Sequence, residues 1–77
     1  MHSRSMVDHD FALRVAQTLA IRSDTECQGI FVDLLRRKQL SRTVHHLNAL
    51  LKNPEYAVVA RTGLCRLGFP YDVAKNM

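Results

Sequence analysis

Apolar residues recur at helical spacing in four separate stretches of this 77-residue chain. Phe11, Val15 and Leu19 follow one another at every fourth position, the spacing that places side chains on one face of an α-helix. Three further stripes are formed by Cys27, Ile30, Phe31, Leu34 and Leu35, by Val44, Leu47, Leu50 and Leu51, and by Tyr56, Val59, Ala60, Leu64 and Leu67. The pattern therefore predicts four amphipathic helices.

Residues that favour helix ends lie between these stripes. Candidate caps precede the stripes at Asp8 or Asp10, at Ser23, at Ser41 and at Asn53. Ser23 and Glu26 fit a capping box, and Gly68 followed by Pro70 suits the end of the last helix. These signals predict helices over residues 9–22, 24–38, 42–52 and 54–67, with a further short turn over 71–75. Gly29 is expected to let another helix pass close.

The last stretch also allows a different interpretation. Thr62-Gly63 lies between two apolar runs, so residues 57–67 are compatible with a β-hairpin that would form the wing of a winged helix-turn-helix. Asn53-Pro54-Glu55 before this stretch and Gly68-Phe69-Pro70 after it favour a helix.

The predicted fold class is all-α, a small bundle of four to five short helices. Residues 1–7 are expected to form a flexible N-terminal leader, and residues 8–77 a single helical domain. A chain of this length buries only about 60–65% of the surface that it exposes when unfolded. Because such a core is thin, we expect a homodimer in which a second copy completes the bundle. The predicted core residues are Ile30, Phe31, Leu34, Leu47, Leu51, Val59 and Leu64.

No apolar run approaches the roughly 18–20 residues that a membrane span needs, and the N-terminus lacks the apolar segment of a signal peptide. We therefore expect a cytoplasmic protein that does not associate with a membrane. The two cysteines, Cys27 and Cys65, lack C-x-x-C spacing and lie on predicted helices. They are expected to be free, buried thiols.

Motifs that carry catalysis or bind a cofactor are missing from the sequence. Its three glycines form no phosphate-binding loop, and no nucleophile elbow is present. His45 and His46 are neighbours whose side chains point about 100° apart on a helix, so one helix does not direct both to a single metal ion. We therefore expect no enzyme, no cofactor and no metal site.

Charge is unevenly distributed along the chain, whose formal net charge is +4. Residues 1–33 contain three arginines and five acidic residues, whereas residues 34–77 contain eight arginines and lysines and two acidic residues. A basic half of this kind attracts an acidic protein surface or nucleic acid. The basic residues predicted to contact a macromolecule are Arg36, Arg37, Lys38, Arg42 and Lys52.

The segment Leu40-Ser41-Arg42-Thr43-Val44-His45-His46-Leu47-Asn48-Ala49-Leu50 resembles the turn and recognition helix of a helix-turn-helix DNA-binding motif. The resemblance implies a recognition helix in the major groove and phosphate contacts from the residues before it. The implied groove contacts are Arg42, Thr43, His45 and His46, and the implied phosphate contacts are Arg36, Arg37 and Lys38. Arg37-Lys38-Gln39 stands where the motif usually has a small residue or glycine.

Two functions are compatible with these patterns. We predict a non-enzymatic regulatory or adaptor protein that binds an acidic protein partner through a basic helical surface. Exposed apolar residues near Phe69 and Tyr71 are expected to supply the anchor that aromatic residues often provide at such interfaces. The alternative is a helix-turn-helix DNA-binding transcriptional regulator.

Overall fold

The computed structural model describes residues 7–69, which fold into four α-helices. They are α1 (His9–Ile21), α2 (Asp24–Arg36), α3 (Leu40–Leu50) and α4 (Ala57–Leu67). No strand occurs among the described residues, so the all-α prediction is confirmed and the hairpin alternative for 57–67 is wrong. The predicted turn over 71–75 lies outside the described residues, and Val7, the last residue of the predicted leader, is buried.

All four helices are short. The longest, α1 and α2, contain 13 residues each, whereas a bilayer span needs about 20. Within residues 7–69, no helix has both the length and the apolar character required to cross a membrane.

The first two helices begin at the predicted caps. Asp8 precedes α1, and its Oδ1 accepts a hydrogen bond from the Phe11 N–H at 2.9 Å. Ser23 Oγ accepts from the Glu26 N–H, and the Glu26 carboxylate accepts from the Ser23 N–H, which completes the capping box before α2. The backbone bond from Ser23 lowers the pKa of Glu26, because it favours the charged carboxylate.

The last two helices begin elsewhere than the sequence predicts. α3 begins at Leu40, so Ser41 is its second residue, and the side chain of the actual cap residue makes no capping bond. α4 begins at Ala57 instead of position 54. Asn53 Oδ1 accepts from the Glu55 N–H at 2.9 Å, which closes an Asx turn instead of capping a helix.

The ends of α2 and α4 share one backbone arrangement. Gly68 after α4 has a φ of 89°, in the left-handed region, as expected of a glycine at a helix end. The corresponding residue after α2 is Lys38, with a φ of 60°. In both turns the following N–H bonds to the carbonyl five residues earlier, at 2.8 Å after α2 and 3.0 Å after α4. This pattern is the Schellman motif.

The core lies where α1, α3 and α4 meet, and α2 packs against α3 and α4. Its buried residues are Ala12, Ala16, Leu19, Cys27, Leu34, Leu40, Leu47, Leu50, Ala60, Leu64 and Leu67. Among the predicted core residues, Leu34, Leu47 and Leu64 are buried. The others are only partly buried and pack against that core, namely Ile30, Phe31, Leu51 and Val59.

A close approach between helices occurs at Gly63 on α4 and Ala16 on α1. A Cβ built at position 63 would lie 2.6 Å from the Ala16 Cβ and 3.4 Å from Leu47 Cδ1. Only glycine fits at this distance. Gly29, the residue expected to allow such an approach, is exposed, and a Cβ there would meet no atom within 4 Å. The prediction for Gly29 is therefore wrong.

Arg66 on α4 connects the end of α1 to the beginning of α2. Its Nε donates to the Leu19 carbonyl at 3.1 Å, and its Nη2 donates to the Arg22 carbonyl. These carbonyls lie at a helix end, where oxygens lack intrahelical partners. The same guanidinium forms an ion pair with Asp24 at 3.1 Å. One side chain thus holds the α1–α2 junction against α4.

Both cysteines are free thiols, but their environments differ. Cys27 is buried as predicted, with Sγ 3.4 Å from the Leu19 carbonyl oxygen. Cys65 is exposed, contrary to the prediction. It follows the buried Leu64 by one residue, so its side chain points about 100° away from the core.

Alanine substitutions at the two helical glycines should have opposite effects. Gly63→Ala is expected to lower the free energy of unfolding by about 1–3 kcal/mol, because the new Cβ overlaps Ala16 and forces α1 and α4 apart. Gly29→Ala, the control at an open helical position, is expected to raise it by about 1 kcal/mol through reduced backbone entropy. Urea denaturation followed by circular dichroism measures both. Equal effects would contradict the close α1–α4 contact.

Candidate binding surface at the α2–α3 corner

The predicted basic contacts meet at the corner where α2 ends and α3 begins. Arg36 is the last residue of α2, and Arg42 lies in the first turn of α3. Arg37 and Lys38 lie in the turn between the helices, and all four side chains are exposed. We call residues 36–42 the basic corner. The structure thus brings four of the predicted cations together.

Lys52, the remaining predicted cation, lies apart from the basic corner. It is exposed and follows the carboxyl end of α3. The 11 residues of α3 span about 16.5 Å at 1.5 Å per residue. Lys52 therefore offers the same charge at the other end of the same helix.

Ion pairing differs among the cations of the corner. Arg37 Nε lies 3.1 Å from Asp33 Oδ2, one helical turn earlier. Both side chains are more than half exposed, so the pair contributes little to stability. Arg36 and Lys38 belong to none of the ion pairs formed among residues 7–69. Within that part of the chain, their charges have no acidic partner.

The turn between α2 and α3 contains three residues, 37–39. A turn of three to four residues, often with a glycine, joins the two helices of a helix-turn-helix motif. Lys38 adopts the left-handed conformation that glycine adopts without steric cost. Lys38 therefore differs from the glycine that is common in such turns, but its backbone has the conformation that glycine favours.

Arg42 and Val44 lie on different sides of α3. Arg42 and Val44 are two positions apart, so their side chains point about 160° apart around the axis. Arg42 and His45 are exposed, and we call the side that they mark the outer flank of α3. Val44 is half-buried on the opposite side.

On the side of Val44 the chain forms an apolar groove of about 590 Å³. The lining residues are Leu35, Lys38, Leu40, Ser41, Val44 and Phe69. Leu35 has 54% of its surface exposed, whereas Leu40 is nearly buried. The Phe69 ring packs at a tilt against Phe31, with 6.2 Å between ring centroids. The groove volume lies within the roughly 300–1,000 Å³ of typical binding sites.

The groove exists because Leu35 does not face the core. The sequence pattern places Leu34 and Leu35 on one core face, and for Leu35 this is wrong, since Leu34 is 4% exposed and Leu35 54%. Consecutive helical residues point about 100° apart, so Leu35 points to the surface while Leu34 points into the core. The sequence pattern does not show which residue lies at the edge of the apolar stripe.

Thr43 does not face a partner, contrary to the prediction. Its side chain is fully buried, on the face of α3 that also carries Leu47 and Leu50. Its Oγ1 has no hydrogen-bond partner among the described residues. A buried hydroxyl without a partner destabilises the fold, and the residue adds nothing to the exposed surface.

His46 contacts another helix instead of lying on the outer flank. It is half-buried, and its Nδ1 lies 2.8 Å from the Nδ1 of His9 at the start of α1. One of these nitrogens must donate the hydrogen bond and the other accept it. The exposed His45 ring is 5.6 Å from that of His46. No three His, Cys, Asp or Glu side chains within residues 7–69 are grouped so as to hold a metal ion.

Comparison of the chain with protein-family models, with curated proteins and with solved structures finds no match. A functional interpretation therefore depends on the geometry and charge of the basic corner and the groove.

Lys38→Gly should stabilise the protein. A lysine in the left-handed region carries a steric cost of about 1–2 kcal/mol that glycine avoids, and part of this gain is lost to the greater entropy of an unfolded glycine. We expect the free energy of unfolding to rise by about 1 kcal/mol in urea denaturation. Lys38→Ala is the control, because it removes the same charge without relieving the backbone. An equal gain for alanine would show that charge, and not conformation, is responsible.

Thr43→Val should also stabilise the protein. Valine has nearly the same shape and removes the buried hydroxyl that lacks a partner, which we expect to raise the free energy of unfolding by about 1 kcal/mol. Thermal and urea denaturation measure the change. Ser41→Ala, at an exposed position of the same helix, should leave it nearly unchanged. A loss of stability in Thr43→Val would show that the hydroxyl has a partner.

Proposed function

We propose that this chain is a non-enzymatic regulatory or adaptor protein that binds an acidic partner protein at the corner between α2 and α3. One observation carries the proposal: Lys38 belongs both to the basic corner and to the lining of the apolar groove. An exposed apolar surface therefore lies directly beside positive charge. Specific protein interfaces combine an apolar centre with a polar rim in this way.

The apolar lining supports a protein partner over nucleic acid. Leu35, Val44 and Phe69 present carbon surface, and burying such surface contributes about 25 cal/mol per Å². A nucleic acid binds mainly through its phosphates, which gain from cations and not from leucine side chains. A protein with apolar and acidic residues makes use of both components of this surface.

A separate observation favours the DNA-binding alternative. α3 follows a three-residue turn and exposes Arg42 and His45 on its outer flank. Recognition helices contact base edges through residues near their amino ends, while preceding residues contact phosphates. In that function Arg36 and Lys38 would contact phosphates, and the groove would have no part.

A homodimer and a cytoplasmic location remain part of the proposal. Exposed apolar side chains outside the groove include Val32 and Val58. Burial of such residues by a second copy would enlarge the thin core of a chain of this size.

Site-specific photo-crosslinking tests the proposed function against its alternative. A photo-reactive amino acid is placed at position 35, 45 or 21 in three otherwise identical full-length chains. Position 35 is expected to yield protein adducts that survive nuclease treatment. Position 21 is the control, because Ile21 is 79% exposed but does not line the groove. Nuclease-sensitive adducts at position 45 alone would favour DNA binding, and no adduct at either 35 or 45 would contradict both functions.

Charge reversal in the same experiment tests whether the basic corner contributes to partner binding. Lys38→Glu should reduce the adduct yield at position 35 by about tenfold or more, since charges beside an interface mainly affect association. Lys52→Glu makes the same charge change about 16.5 Å away along α3 and should leave the yield unchanged. Equal effects of the two changes would indicate an unspecific response to net charge.

A further inference from the structure

We propose that the groove binds an amphipathic helix of the partner protein, with apolar side chains toward Leu35, Val44 and Phe69 and a carboxylate toward Lys38. This inference rests on the proposed function and specifies the chemistry of the partner. Three features of the groove lead to it: the scarcity of polar groups, the arrangement of the apolar residues and the position of the charge.

The scarcity of polar groups determines the backbone of the partner. Among the lining residues that belong to residues 7–69, only Lys38 and Ser41 have polar side chains. No strand occurs in residues 7–69, so this part of the chain offers no sheet edge to which an extended peptide could bond. An extended segment would bury backbone N–H and C=O groups without partners, which is costly. A helix bonds these groups internally and has only side chains to bury.

The apolar residues come from three parts of the chain. Leu35 lies on α2, Leu40 and Val44 lie on α3, and Phe69 follows α4. Leu40 is nearly buried and Leu35 is more than half exposed, so the groove has depth as well as a raised wall. Side chains at positions i, i+3 or i+4, and i+7 of a docked helix suit such a groove.

The charge determines the orientation and sign of the partner. The Schellman turn fixes the backbone of Lys38, which lines the groove together with Ser41. The positive end of the α3 dipole lies at the same place. A carboxylate is attracted here and a cation repelled, so an acidic helix fits this place better than a basic one.

Selection from a phage-displayed library of peptides of about four helical turns, against the immobilised full-length chain, tests the inference. Enriched peptides should share the i, i+3 or i+4, i+7 apolar pattern together with Asp or Glu, and should gain helical circular dichroism on binding. Enriched peptides that are basic, or that bind without becoming helical, would overturn the inference. Enrichment no greater than that on the Leu35→Asp chain would overturn it as well.

Substitutions in the chain then show where the peptide with the highest affinity binds. Fluorescence anisotropy should show binding weakened about tenfold or more by Leu35→Asp, which replaces an exposed wall residue and is expected to leave the fold intact by circular dichroism. Lys38→Glu should weaken binding of the acidic peptide about tenfold. The same variant should bind a second peptide, in which lysines replace the acidic residues, better than the unchanged chain does. Ile21→Asp is the control at a more exposed apolar residue outside the groove, and it should have no effect. A failure of the charge exchange would overturn the assignment to Lys38.

Other occupants of the groove give different results. A light-scattering mass of twice 8.8 kDa that Leu35→Asp halves would place a second copy in the groove and overturn the inference. A rise in peptide affinity after Tyr71→Ala would show competition from this chain's residues 70–77 and overturn it also. Nuclease-resistant protein adducts at position 35 without any selected helix would refute the helical partner and leave the proposed function standing.

Discussion

The contact between Gly63 and Ala16 sets the distance between α1 and α4, and much of the remaining structure depends on it. Because Gly63 has no Cβ, these helices come close enough for Leu47 of α3 to pack against the same point, 3.4 Å from where a Cβ of residue 63 would lie. Small residues at the crossing leave room for the fully buried Leu19 and Leu64. Three helices thus close around one another, and α2 packs beside them.

The position of α2 explains the groove. Only Cys27 and Leu34 of this helix are buried, because the other three helices already enclose most of the core. Hydrogen bonds fix both ends of α2. The capping box holds its amino end, and the turn at Lys38 holds its carboxyl end. A helix held in this way keeps its place without burying all of its apolar residues. Leu35 therefore remains on the surface as one wall of a groove.

Helix number and class follow from the sequence because apolar periodicity and the caps at Asp8 and Ser23 act locally. The start of α4 does not follow from the sequence, because Asn53 is as well suited to an Asx turn as to a helix cap. The candidate site is less predictable. Gly29 faces open space and Gly63 contacts another helix, and this difference depends on which helices meet in the fold. The same holds for Thr43, a polar residue that tertiary packing turns toward the core.

The basic corner by itself does not distinguish a protein from a nucleic acid, because both carry negative charge. The two sides of α3 do distinguish them, since one presents Arg42 and the other presents apolar carbon around Val44. Cations on a surface are common and aid solubility without any partner. A leucine 54% exposed beside a groove has an unfavourable contact with water. Because Lys38 also lines that groove, the acidic partner that we propose would gain both from its charge and from apolar burial.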